Sequence, residues 1–258
     1  MRHFNKGGSM NLNQDQKGEK AAPSKPSVSV AVLALNEAGN LENAVKEVKN
    51  ALARESLAEY EIIIIDGGST DATPEIADQL AKEDPKIRVK HTESRGIGYG
   101  FRVAAELAKK EYFGWFPGDN ETMPETIRNV FSALGKTDVI IPYTVNPWVR
   151  PIGRRILSFV YRKICNILFG IPIKYFNGPC FFRRSVLQSI TMSADNPAYM
   201  TEILVQLLKL RRASYLEVPM YIKARDYGSP KVLKWKNVWA IAKTFATLFF
   251  KVRFKKRD

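Results

Sequence analysis

The chain has 258 residues, 45% of them hydrophobic, enough for one large α/β domain or at most two small ones. Its formal charge of +14 calls for an acidic partner: nucleic acid, anionic lipid or a phosphorylated substrate. With two cysteines (Cys165, Cys180) and two histidines (His3, His91), the inventory argues against a disulfide framework, a histidine metal cage and a Ser-His-Asp relay, and a reducing cytosolic setting is the simplest expectation.

Residues 1–26 are rich in Lys, Gly, Ser, Asn, Gln and Pro and lack an apolar run, so they read as a polar tail and not a secretory signal. Ser27 to Leu35 alternates and then becomes continuously apolar, as a buried strand does. After the loop Asn36 to Asn40, the residues Leu41, Ala44, Val45, Val48 and Leu52 recur at helical spacing. Tyr60 to Ile65 is a β-branched second strand that stops at Asp66-Gly67-Gly68-Ser69-Thr70-Asp71, and Thr73-Pro74-Glu75 opens the next helix. Ile87 to Lys90 is a short third strand, with His91 as a strand-end or surface residue. The glycines at 96, 98 and 100 do not match a dinucleotide fingerprint, and no phosphate-binding loop with the Gly-Lys-Ser/Thr ending occurs. They are better read as a loop that lets a substrate or a neighbouring helix approach the backbone before the helix through Phe101 and Leu107.

Tyr112 to Phe116 forms the fourth strand, broken by Pro117-Gly118 just before Asp119, Asn120 and Glu121. Ligands bind at the strand ends of open α/β sheets, and hard oxygen ligands there suit Mg²⁺ or Mn²⁺. The same four residues, Pro-Gly-Asp-Asn, also make an ordinary turn. Strands alternating with helices predict a mostly parallel sheet with helices on both faces, which brings Asn36 and Glu37, Asp66 and Asp71, and Asp119 to one edge.

Beyond Val139 to Pro142 the character changes. From Trp148 to Phe169, residues Ile152, Ile156, Leu157, Val160, Tyr161, Ile164, Ile167 and Leu168 form an apolar stripe interleaved with Arg150, Arg154, Arg155, Arg162 and Lys163. A second stripe, Val238, Ile241, Ala242, Phe245, Leu248, Phe249 and Val252, is surrounded by lysine and arginine, and the basic residues beyond Phe250 favour a membrane role for it. Each helix could lie in the headgroup region of an anionic bilayer or pack on the core. No run of about 18 apolar residues predicts a membrane span.

The segments Leu33-Ala34-Leu35-Asn36-Glu37, Asp66-Gly67-Gly68-Ser69-Thr70-Asp71 and Pro117-Gly118-Asp119-Asn120 occur in the order seen in family-2 glycosyltransferases of the GT-A fold, and the resemblance runs from about Ser27 to Leu233. Glu217-Val218-Pro219 followed by Arg225 to Lys231 is similar to its polyprenyl-phosphate branch, the dolichol-phosphate-mannose-synthase-like enzymes. The resemblance implies an α/β GT-A domain over 27–233, half-Rossmann-like, between a polar tail at 1–26 and a basic amphipathic helix at 234–258.

It also implies roles. Asn36, Glu37 and Asp66 would contact the donor's base and ribose, with Arg95, Gly96 and Gly98 close to the donor. Asp119 would hold Mg²⁺ or Mn²⁺ on the diphosphate, Glu202 would face the acceptor, and Arg225 and Lys231 would clamp phosphates. Pro117 replaces the first aspartate of the D-x-D pair, Leu33 a proline, Gly67 the second aspartate of D-D-G-S, Pro230 a serine and Lys174 an aspartate.

The implied function is inverting, metal-dependent transfer of a sugar from a nucleotide-sugar to a polyprenyl-phosphate or related lipid-linked acceptor. It would take place at the cytoplasmic face of an anionic membrane, with the protein peripheral. The alternatives are a saccharide acceptor, as in surface polysaccharide assembly, or a catalytically silent nucleotide- and membrane-binding module. Nucleic acid is the weaker partner, because the basic residues lie on apolar-striped helices and not beside an exposed aromatic platform.

Overall fold

A computed structural model describes residues 25–93, 96–224 and 235–254, the last segment without the side chains of 235–238. Seven strands form one sheet in the order β3-β2-β1-β4-β6-β5-β7. β1 (Val28–Ala34), β2 (Tyr60–Asp66), β3 (Ile87–His91) and β4 (Tyr112–Pro117) run parallel, with Ala34 beside Asp66 and Leu33 beside Pro117. β5 (Val139–Thr144) pairs in parallel with β7 (Tyr215–Met220). Between β4 and β5 lies β6 (Phe181–Arg183), antiparallel to both, so β4 and β5 point the same way and end on the same edge.

Strand alternation divides the core into two layers. Val28, Val30, Val32, Ile62 and Ile64 face α1 (Leu41–Leu52), α2 (Thr73–Glu83) and α4 (Pro124–Phe131), meeting Leu41, Val45, Val48, Ala77, Ile127 and Val130. Ala31, Ile63, Ile65 and Phe113 face the opposite layer. That layer holds α3 (Ile97–Leu107), α5 (Ile152–Phe169), α7 (Tyr199–Val205) and α8 (Trp235–Phe254), with the short α6 (Arg184–Leu187) at its border. Fully burying a large apolar side chain contributes about 1.5–3 kcal/mol, so these two layers fix the orientation of every strand end.

The two basic helices behave differently. On α5 the stripe faces outward: Ile152, Ile156, Leu157, Val160, Ile164 and Ile167 are exposed, Ile167 by 82%, and only Cys165 and Phe169 are buried. On α8 the stripe packs inward: Leu248 is 2% exposed, and the Phe245 ring lies 5.5 Å from that of Tyr161 and 5.7 Å from that of Phe169. The membrane preference read from the basic residues around α8 therefore does not extend to Phe245, Leu248, Phe249 and Val252 of its stripe, which pack on the core. The reason is geometric. Periodicity says which residues share a face, and here the α5 surface that α8 covers is the one carrying Tyr161 and Phe169. α8 does present Trp239, Phe250 and Phe254 outward. The helix expected from Trp148 begins at Ile152, after a short 3₁₀ turn at Pro147–Val149.

Candidate active site

The edge where β1, β2 and β4 end carries two loops stitched together by their own polar side chains. After β1 the backbone N–H of Asn36 donates to Ser69 Oγ (2.8 Å), and Asn36 Oδ1 accepts from the N–H of Thr70 (2.8 Å). One residue on, the Glu37 N–H donates to Thr73 Oγ1 (2.8 Å), and the Ala38 N–H to Asp71 Oδ2 (3.2 Å). Asp71 Oδ1 takes the Thr73 hydroxyl at 2.6 Å. Burial acts to raise the Asp71 pKa, but the bonds from Thr73 and Ala38 outweigh it and hold this carboxyl below its ordinary range. Asn36 sits at φ 54°, a left-handed conformation that asparagine tolerates. The Ser-Thr-Asp run after β2 is thus largely a brace for the β1 loop.

Two carboxylates lie beneath that brace. Asp66, 3% exposed, accepts the Ser69 N–H on Oδ1 (3.0 Å) and faces His91 Nδ1 through Oδ2 (3.2 Å). Glu37, 7% exposed, accepts from Asn40 Nδ2 at 2.8 Å. At the end of β4, Asp119 is 8% exposed and accepts the Glu121 N–H on Oδ1 (3.1 Å), an arrangement that turns the chain toward α4. Asp66 and Asp119 therefore flank the end of β1, at the crevice where the strand order reverses.

The glycine loop serves the neighbouring segment. Gly98 donates its N–H to Asp195 O (3.2 Å), and a Cβ at this position would lie 2.2 Å from Ala194 O and 2.8 Å from Tyr199 Cβ. At Gly96 the φ of 107° and an Asp195 O only 2.5 Å from a would-be Cβ impose the same demand. Gly98→Ala is expected to destabilise the protein by about 3 kcal/mol, because backbone is what it meets; an unchanged melting temperature would refute this packing.

That approaching segment is held by Glu202, which is 6% exposed. Its carboxylate accepts the Ser193 N–H (3.0 Å), the Ala194 N–H (2.9 Å) and the Ser193 hydroxyl (2.5 Å). Asp195 is further paired with Arg102 (2.7 Å). Glu202 thus faces the 193–194 loop, an anchoring position that sequence alone did not suggest.

A groove of about 500 Å³ opens beside Thr144, at the end of β5 and on the same edge as Asp66 and Asp119. It is lined by Arg150, Arg155, Arg162 and Lys174 together with Ile156 and Phe159. Arg150 Nη1 donates to the Tyr175 hydroxyl (3.2 Å), and Lys174 Nζ lies 4.0 Å from the centre of the Tyr143 ring. The arginines were visible in sequence as the polar half of the α5 stripe. Their convergence with Lys174 was not, since it depends on the return of the chain after Gly170.

Arg95, Arg225 and Lys231 lie outside the described residues. Cys165 and Cys180 are both buried, and burial pushes the Cys165 thiol up to about 12 and Cys180 higher still, which disfavours the thiolate. Among the described residues no three His, Cys, Asp or Glu side chains converge as a metal cage. The donor set at β4, a strand-end carboxylate with no side-chain oxygen at Pro117, still fits a hard cation that shares its coordination with substrate phosphates, the usual habit of Mg²⁺. No described helix is long and apolar enough to cross a membrane.

Comparison with known proteins agrees with this geometry. The family model described as "Glycosyl transferase family 2" matches residues 29–191. A Bacillus subtilis (strain 168) protein given the glycosyltransferase designation EpsH is 24% identical over 76% of this chain, which spans only 60% of that relative's length. The polyprenol monophosphomannose synthase of Mycolicibacterium smegmatis is 27% identical, over 83% of this chain and 85% of its own. Glucosyl-3-phosphoglycerate synthase from Mycobacterium tuberculosis, solved with Mn²⁺, UDP-glucose and phosphoglyceric acid, superposes with a TM-score of 0.64 at 16% identity, covering 88% of this chain and 79% of that one. The shared architecture is the GT-A fold.

Proposed function

The chain belongs to glycosyl transferase family 2, and from that premise we propose that it moves a sugar from a nucleotide-sugar to a polyprenyl-phosphate or related lipid-linked phosphate, as a peripheral protein on the cytoplasmic face of an anionic membrane. The observation that carries this reading is the groove at the end of β5. Four cations, Arg150, Arg155, Arg162 and Lys174, meet the outward apolar side chains of α5 there, a combination suited to a phosphate on a hydrocarbon chain. Similarity to the polyprenol monophosphomannose synthase supports the same acceptor class.

In this reading Asp66 accepts from the donor's base, and Asp119 would hold Mg²⁺ or Mn²⁺. The ion, when bound, neutralises phosphate charge as the leaving group departs. Arg225 and Lys231 are assigned the phosphate clamp. The acceptor's phosphate oxygen attacks the anomeric carbon from the face opposite the diphosphate. The carbon–oxygen bond to the nucleoside diphosphate breaks, and one displacement inverts the centre. A phosphate monoester, with its second pKa about 6, is already largely ionised near neutral pH and needs no base. This accords with a Glu202 carboxylate engaged with the 193–194 loop.

The test is a radiolabelled donor panel with Mg²⁺ or Mn²⁺ and polyprenyl phosphate in anionic vesicles. Label is expected in the organic phase; label confined to water would transfer the assignment to a saccharide acceptor, and no transfer with any donor would overturn it. Arg155→Glu should raise the acceptor KM about tenfold, the order of one charge-assisted hydrogen bond, without changing the donor KM.

A further inference from the structure

His91 is the last residue of β3, register-paired with Asp66 at the end of β2. Its Nδ1 lies 3.2 Å from Asp66 Oδ2, and its Nε2 lies 3.1 Å from Asp78 Oδ1 on α2. Ionised carboxylates only accept hydrogen bonds, whereas a neutral imidazole carries one N–H and an imidazolium two. Both contacts can therefore be donated at once only by the charged ring. We propose that His91 is a positioning residue for the donor site: as an imidazolium spanning Asp78 and Asp66, it fixes the Asp66 carboxylate toward the nucleobase, so that donor binding is strong while His91 is charged and weakens as it loses its proton.

The inference rests on the reading that Asp66 contacts the donor's base. Asp66 has two oriented partners, the Ser69 N–H on one oxygen and His91 on the other. The remaining lone pairs are thereby directed, and an N–H of the base is the complementary group. Among the described residues, the charged groups facing the ring from the elements packed against it are Asp66 on β2 and Asp78 on α2. Burial of the ring disfavours its charge, but the two carboxylates outweigh this and raise its pKa above the ordinary value. The sign follows. The bracing is complete below the ordinary histidine range and is lost as pH rises through the raised value, when the ring must release either Asp66 or Asp78.

The chain has only one other histidine, His3, so ¹⁵N-imidazole NMR of the 258-residue chain gives two spin systems, assigned with His3→Gln. His91 is expected to titrate above the ordinary value, and Asp78→Asn to lower that midpoint. Calorimetry with UDP, GDP, ADP and CDP, each with Mg²⁺, follows from pH 6 to pH 8.5. For the nucleotide that binds, the wild-type Kd should rise about threefold more than that of His91→Gln, a modest factor because the ring is partly exposed. His91→Gln keeps a single, uncharged donor nitrogen, and its binding should follow only the ionisation of the ligand. An ordinary His91 midpoint unmoved by Asp78→Asn, or identical pH profiles in wild type and His91→Gln, would overturn the positioning role alone. Failure of every nucleotide to bind at any pH would instead overturn the reading of the site, and the role with it.

Discussion

Asp119→Ala is expected to lower kcat for sugar transfer by about two to three orders of magnitude, the scale seen when a group that stabilises developing charge is removed. Its position sets this effect. Asp119 ends the strand beside β1, where the order of the sheet reverses, and Pro117 supplies no second carboxylate in the usual place. With no carboxylate on β4 at position 117, a cation bound at this strand end would depend chiefly on Asp119 and the donor's own phosphates. The fold should survive. The alanine loses the bond from the Glu121 N–H, a contribution of about 1 kcal/mol, equivalent to roughly 2–4 °C in Tm for a chain of this size. Asp119→Asn keeps an acceptor for that N–H while removing the charge, and should be as inactive as the alanine. Steady-state transfer assays beside thermal melts make the comparison; near-normal turnover in either variant would overturn the assignment.

Glu202 calls for the opposite pattern. Glu202→Ala removes the acceptor of three hydrogen bonds and strands two backbone N–H groups, with an expected loss of about 3 kcal/mol, or roughly 6–12 °C in Tm. Glu202→Gln is the discriminating change. Its amide oxygen can take both the Ser193 and Ala194 N–H groups, while its NH₂ donates to a Ser193 hydroxyl that has turned to accept. Stability and kcat close to wild type are therefore expected if the residue is an anchor. A Gln variant that melts normally but fails to turn over would make Glu202 a general base and shift the acceptor from a phosphate to a hydroxyl.

How far such roles can be read from sequence depends on whether they are local. β1, β2 and β4 were legible because their apolar runs are continuous and end in abrupt polar breaks. β6 was not: three residues cannot display a period, and its antiparallel placement is decided by β4 and β5 on either side. β7 begins with exposed Tyr215 and Leu216 at the sheet edge and so lacks the signature of a buried strand. α4 was masked by the turn signal of Pro-Gly-Asp-Asn just before it. Asp66 and Asp119 could be placed because strand order carries them to one edge. The partners of Glu202 and His91 could not, for they are backbone N–H groups and carboxylates contributed by other segments, and no spacing encodes such encounters.

The inward packing of α8 bears on where this enzyme can be cut. Leu248 and Phe245 roof the layer formed by Cys165 and Phe169, and Asn196 donates through Nδ2 to Thr244 Oγ1 (3.0 Å) one residue after the Asp195 that abuts Gly96 and Gly98. A version trimmed at residue 233, where the resemblance in sequence stops, would not be a minimal catalytic unit. It would uncover the layer beneath Leu248 and Phe245 and release a tether on the segment beside the glycine loop, so a truncated form that still folds is expected to need the helix through Val252.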